Sequence, residues 1–568
     1  MSPPIYGSYV KWEELYDSKL PDIGLLLSKL QKYDIVDIGS FLSKLGIFLL
    51  KWPPNDSGLS LQRNILQHIL TDTQLKKADV IISNTQHSEF TRTFFCRHQL
   101  LFLFRNLLHL SNHGSERISP NLLELGEILF SANDYLEPKY KIDRQNLRVM
   151  MLRTQWINQQ IDLKRSLIHV WQMYADILPT ISKDRYDRFI DLFVKHLQLP
   201  PTEFILIGFG LITHFSLMLS KSDSEIIQQD IRLPTTYFSK LKNDDIRQKA
   251  NRILEISSYD PTVPLSFPKS SFDILNLYQK PFMEASDKSH VLIDLNCLYW
   301  KISDGIYWEI FDSEDSDNKW FMNELWGEVF HKLILEYLRD TISIENKHTK
   351  AIFIDEDPAS THRQVDFIVY INNRLFLFEI SLRGLPVSTI LTAEPSQILT
   401  RLDDLLLNPD PQKKHSSGKC IQFKETIQAI KDGKYDQYLP KEAKSCEFIP
   451  ILVVLGNMPI NIFLKELIDQ VFDRKSDQKL LKEIQANLLI LNPFDIDTLL
   501  WAVEAPIANF DNLLLQYKTY RFRDDFTHFV QKFWRTEIKT SSKGQKSFND
   551  IKNKIGEFLF GEPLRSNQ

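Results

Sequence analysis

The chain has 568 residues, too many for one ordinary core at roughly 100 to 200 residues per domain, so two to four domains are expected. Its hydrophobic fraction of 43% and charged fraction of 25% are those of a soluble globular protein and exclude a largely disordered chain. The net charge of -5 excludes a globally basic nucleic-acid binder, so any polyanion site must be local.

The opening stretch, MSPPIYGSYVKWEELYD, has no basic segment followed by an apolar run and does not read as a secretory signal. Cys96, Cys297, Cys420 and Cys446 are widely spaced and form no CxxC pair, which points away from zinc and disulfides and toward a reducing cytoplasm. Up to about residue 256 the apolar residues recur at three and four, as in IGLLLSKLQKYDIVDIGSFLSKLGIFLL, and predict packed amphipathic helices without a fixed-period repeat. Phe204 to Leu219 is the one membrane candidate; it contains His214, falls short of the roughly 20 residues a spanning helix needs, and reads as a buried helix with no membrane contact.

The Pro- and Ser-rich stretch SSYDPTVPLSFPKSS at 257–271 predicts a domain boundary. The acidic FDSEDSDNK at 311–319 reads as a solvated loop, because around Asp312, Glu314 and Asp317 it lacks the glycine and the last glutamate of a calcium loop. Beyond it the pattern becomes a helix over 321–339 and a strand over 351–354. Two strands follow within 364–381, then helices near 395–407 and 420–432, a strand over 448–456, a helix near 459–472 and a strand over 487–491. The expected architecture is a multidomain α and α/β protein. It has a helical N-terminal domain (1–256), a linker and lead-in segment (257–320), an α/β domain (321–500) and a basic helical C-terminal region (501–568).

The hairpin in QVDFIVYINNRLFLFEIS carries the chemistry. Asparagine tolerates positive φ, so Asn372 and Asn373 predict a two-residue turn that pairs residues whose numbers sum to 745. Asp366 then opposes Glu379 with Cβ atoms about 5 Å apart, an unfavourable like-charge pair unless something compensates. A hard divalent cation, Mg²⁺ or Mn²⁺, suits two carboxylates. Val365, Phe367 and Val369 with Phe376, Phe378 and Ile380 form an apolar face, leaving the acids on the other. On the preceding helix Glu324, Glu328 and His331 share one side and can complete a metal shell or orient water. The alternative for Asp366 is an ordinary ion pair with Arg363, Arg374 or Arg383.

Helix, strand, Asp, hairpin, Glu-x-Lys position, helix, strand resembles the PD-(D/E)XK, or restriction-endonuclease-like, superfamily over residues 321–456. The resemblance implies Mg²⁺-dependent cleavage of nucleic-acid phosphodiesters, with Asp366 and Glu379 as metal ligands. The family lysine, which orients the attacking water and offsets phosphate charge, is replaced by Ser381. The helix resembles the family's G-x-x-[FY]-E helix, but reading from Gly327 places His331 where the glutamate falls, leaving Glu328 or Glu324 as substitutes. Arg383, on the strand face of Glu379, and Lys424, on the later helix, are candidates for a displaced cation. These departures leave two expectations: a metal-dependent nuclease, active by itself or partner-activated, with DNA favoured over RNA, in a bacterial phage-defence or mobile-element system, or a degenerate nuclease kept for DNA binding or assembly.

Lys518 to Lys554 carries ten basic residues against four acidic. Arg521, Arg523, Lys532 and Arg535, interleaved with aromatics, are candidate nucleic-acid contacts, while Phe526, Phe529, Phe533 and Trp534 read as a buried stripe. His98, His109 and His113 lack metal-ligand spacing. Gly208-Phe-Gly210 is no dinucleotide turn, and HSSGK at 415–419 lacks the first glycine of a phosphate loop.

Overall fold

The computed structural model describes residues 8–562 apart from the short segments 19–22, 52–58, 86–91, 111–117, 137–143, 159–162, 261–262, 264, 356–364, 383, 409–417, 457, 459, 474–478 and 524. It is mostly helical with two mixed sheets, one of five strands and one of three, and a short two-stranded pair. The elements that frame the five-stranded sheet are, in chain order, helices α1 (Arg144–Asn158), α2 (Pro201–Ser216) and α3 (Ser316–Glu345) and strands β1 (Ile352–Ile354), β2 (Phe367–Ile371) and β3 (Arg374–Ser381). Helices α4 (Val387–Thr392), α5 (Pro395–Leu406) and α6 (Lys419–Lys431) follow, then β4 (Glu447–Val454), β5 (Leu489–Leu491) and helices α7 (Pro493–Glu504) and α8 (Ser542–Phe560).

The strand order is β5-β4-β3-β2-β1. Strands β1, β2 and β3 run antiparallel in turn, whereas β4 lies parallel to β3 and β5 parallel to β4, each after a helical crossover. Asn372 and Asn373 hold φ of 49° and 57°, the positive values of a type I′ turn, and the pairing runs from Ile371 opposite Arg374 to Phe367 opposite Phe378 as the turn requires.

The sheet differs from expectation in its second face. Phe367, Val369, Phe376 and Phe378 pack under α3 and the C-terminal helices, but Ile368, Leu375, Leu377 and Leu452 are equally buried under α4, α5 and α6. A run such as LFLF is continuous rather than alternating because both faces are covered, as crossover helices demand of parallel strands. The acids therefore do not stand on an open face; they lie at one end of a sheet enclosed between two helical layers.

Those two layers do not follow the boundary expected at 257–271. Apolar residues from Tyr9 to Ile157, with Met218, Ile226 and Ile231, share a core with one sheet face, and the other buried apolar residues between Leu167 and Leu254 share a core with the opposite face. The expected linker carries the three-stranded sheet (258–259, 282–284, 290–292) and an unbroken helical run over 295–313, with Leu298 and Ile302 fully buried. The acidic segment 311–319 is not a solvated loop. Asp315 caps α3, its carboxylate accepting the Asn318 amide at 2.9 Å. Burial alone would raise the Glu314 carboxyl, yet hydrogen bonds from Lys195, His196 and Asn318 outweigh it and hold it at about 2.

The run Pro201–Ser220 is long and apolar enough to cross a membrane, and 56% of it is buried inside the protein, where α2 packs on α8. All four cysteines are free.

Candidate functional site

Asp366 immediately precedes β2 and Glu379 lies near the end of β3, so the hairpin register brings them to the same end of the sheet. They are not equivalent. Asp366 is partly exposed and drawn into the sheet plane: its Oδ2 accepts the Ile380 amide at 2.6 Å, and its Oδ1 faces His331 Nε2 at 3.6 Å. His331 reaches it from α3, its ring tilted against Phe367 with centroids 4.7 Å apart. Glu379 is only 2% exposed. Burial, and secondarily the charge of Asp366, push its carboxyl up to about 8 against the pull of Lys419.

Lys419 is the residue that sequence reasoning missed. Its ammonium ion-pairs with Glu379 Oε1 from the first position of α6, forty residues further along the chain. A cation there opposes the positive end of the helix dipole, so the placement gains its stability from the carboxylate. Gly418 makes it possible: a Cβ on it would stand 2.6 Å from the Leu406 carbonyl oxygen and from the Leu407 backbone, so only glycine lets α6 begin against the end of α5. The one trace in the sequence is the HSSGK segment at 415–419, whose glycine and lysine do not make a phosphate loop.

The remaining expected residues divide. Ser381 is buried at the end of β3 and supplies no positive charge. Glu328 turns away to Arg185 at 2.5 Å, and Glu324 is exposed, so of the acidic row on α3 only His331 joins the site. Lys424 lies five residues along α6 from Lys419, about 140° round the helix, and is half-buried. Arg383 and Arg363 lie outside the described residues, and Arg374 pairs with Glu447 and Asp511 rather than Asp366. In the tail, Arg521 is occupied by the carbonyls of Lys518 and Ala486, at the opposite end of the sheet from the acids. Arg523, Lys532 and Arg535 are exposed. Phe526 and Phe529 are buried as expected, but Phe533 is 49% exposed and leaves the stripe, since α7 and its neighbours cover only one side of that helix.

Among the described residues no group of three or more His, Cys, Asp and Glu gathers as a metal cage. Two carboxylates nevertheless suffice for Mg²⁺, which keeps several waters and takes other ligands from substrate phosphate. Glu379 Oε2 fits that role: it is buried and makes no hydrogen bond, an orphaned acceptor beside a second carboxylate. No family model, curated protein or solved structure matches the chain.

Proposed function

We propose that this protein is a divalent-metal-dependent nuclease of the PD-(D/E)XK kind, hydrolysing phosphodiesters at Asp366, Glu379 and Lys419. The observation that carries the reading is the convergence of Lys419 on Glu379: a cation absent from the strand position of Ser381 returns from α6 to the same carboxylate. The order of elements also supports it, since a helix leads into an antiparallel hairpin and helices return the chain to a strand parallel with β3. In this reading Asp366 and Glu379 hold Mg²⁺ or Mn²⁺, which when bound polarises a phosphoryl oxygen and lowers the pKa of coordinated water. Lys419 offsets charge on the scissile phosphate, and His331 orients Asp366. DNA as the favoured substrate, a partner protein and a phage-defence or mobile-element setting follow from the resemblance alone.

The test is incubation of the purified chain with linear, circular and single-stranded DNA and RNA in Mg²⁺ or Mn²⁺, beside Asp366→Ala, Glu379→Ala and Lys419→Met. Cleavage lost in all three supports the assignment; cleavage equal to wild type in all three overturns it. Ser381, buried and uncharged, favours a second reading in which the fold persists as a non-catalytic DNA-binding or assembly subunit. Binding without cleavage under every condition selects that reading.

A further inference from the structure

Helix α5 buries Ile398, Leu399, Leu402 and Leu405 and turns a different surface outward: Ser396, Thr400 and Arg401, facing Ser388, Thr389 and Thr392 of α4 across a groove of about 470 Å³. Serine and threonine are poor residues for exposed helix positions, where Glu, Lys or Ala favour the helix more, so a wall of hydroxyls gives up local stability. Thr392 and Thr400 return their hydroxyls to the Ser388 and Ser396 carbonyls, but those of Ser388, Thr389 and Ser396 make no hydrogen bond among the described residues. Arg401 likewise has no ion-pair partner there, although Asp404 follows it by three residues in the same groove. Exposed hydroxyl donors beside an exposed guanidinium are the donor set that contacts phosphate oxygens.

The flanks of the groove reinforce this. Carbonyls at the C-terminal end of α4 would repel an anion, but Arg153 of α1 donates to those of Ile390, at 2.7 Å, and Ala393. The groove also adjoins the candidate site: α4 begins six residues after Ser381, and the last turn of α5 abuts Gly418 beside Lys419. Arg401 lies five residues before Leu406, about 7 to 8 Å along the helix.

We infer that the α4–α5 groove seats phosphate groups of the nucleic-acid strand whose scissile bond lies at Asp366 and Glu379; this rests on the nuclease reading. Backbone phosphate is the occupant, so the contact is indifferent to base sequence and weakens with salt.

The experiment measures dissociation constants of the full-length chain for labelled single- and double-stranded DNA and RNA in EDTA, across a salt series, where cleavage plays no part. The variants are Arg401→Glu, Arg401→Lys and Thr389→Ala/Ser396→Ala, with Lys479→Glu as an exposed charge control. We expect about tenfold weaker binding and a salt slope reduced by about one unit in Arg401→Glu, recovery in Arg401→Lys, and a few-fold loss in the hydroxyl variant. Binding by Arg401→Glu equal to wild type overturns the groove, even where the cleavage assay upholds the nuclease. Displacement by inorganic phosphate at matched phosphate concentration also overturns it, in favour of a small-anion site. Binding lost in Arg401→Glu by a chain that never cleaves upholds the groove and removes the nuclease chemistry instead.

Discussion

The two ends of the central sheet are both charged, and they are settled differently. At the hairpin end Arg374 lies 3.5 Å from Glu447 and 3.3 Å from Asp511, Lys518 lies 2.6 Å from Glu447, and Asn372 donates to Asp511 at 2.9 Å. Each of these carboxylates has a partner, and most of the groups are partly open to solvent, although Glu345 beside Asp511 is buried with its Oε1 unpartnered. At the other end Glu379 is enclosed, shares its surroundings with Asp366, receives one lysine and leaves an oxygen unpartnered. Solvated ion pairs of the first kind contribute little, typically under about 1 kcal/mol, whereas a buried carboxyl without full compensation is costly. Glu345 carries such a cost too, so what distinguishes the Glu379 end is that a second carboxylate, a lysine and a histidine gather around its buried acid.

The comparison breaks most readily at the acids. Asp366→Ala or Glu379→Ala is expected to lower metal-dependent cleavage by at least about 10³-fold, while Arg374→Ala at the far end leaves the rate within about twofold. Single-turnover rates for the three proteins decide it. Lys419→Met should cost about 10²- to 10³-fold in the same assay, with partial recovery in Lys419→Arg, as expected for loss of charge stabilisation at the reacting phosphate.

A smaller effect sharpens the electrostatic side. The Glu379 carboxyl titrates at about 8 in the folded chain, above its ordinary 4.5, so the native state binds the extra proton between those values. Stability contributed by the neutral form is fully present below the ordinary carboxyl range and is lost as pH rises toward 8. Glu379→Gln should therefore raise the melting temperature relative to wild type by a margin that grows from pH 5 to pH 9 and reaches about 2 °C or more. Cleavage by the wild-type chain should rise with pH over the same interval, because a metal must displace that proton. The smallest effect lies at the turn: Asn373→Ala removes a residue suited to positive φ, along with the hydrogen bond Tyr370 donates to it at 2.9 Å, and should destabilise by about 1 kcal/mol in denaturant titration.

The turn and its register could be read in advance because both are local: two asparagines between apolar strands leave one favoured pairing. Burial of the second face is also written in the sequence, in the unbroken apolar run LFLF, since alternation accounts for one face alone and leaves Ile368, Leu375 and Leu377 needing a second cover. The cation was not legible. Its selection depends on where α6 begins relative to β3, a tertiary distance that no spacing encodes, and the candidates nearer in sequence or later on the helix had equal claims. Glu328 failed for a similar reason, since Arg185, more than a hundred residues earlier, takes it.

The close approach at Gly418 has a mechanical consequence. Main chain lies close to main chain where α5 ends and α6 starts, so the origin of the Lys419 side chain is fixed by the two backbones and only its own rotatable bonds remain to reach Glu379. A side chain at position 418 would pry the two helices apart and carry the lysine away from its carboxylate.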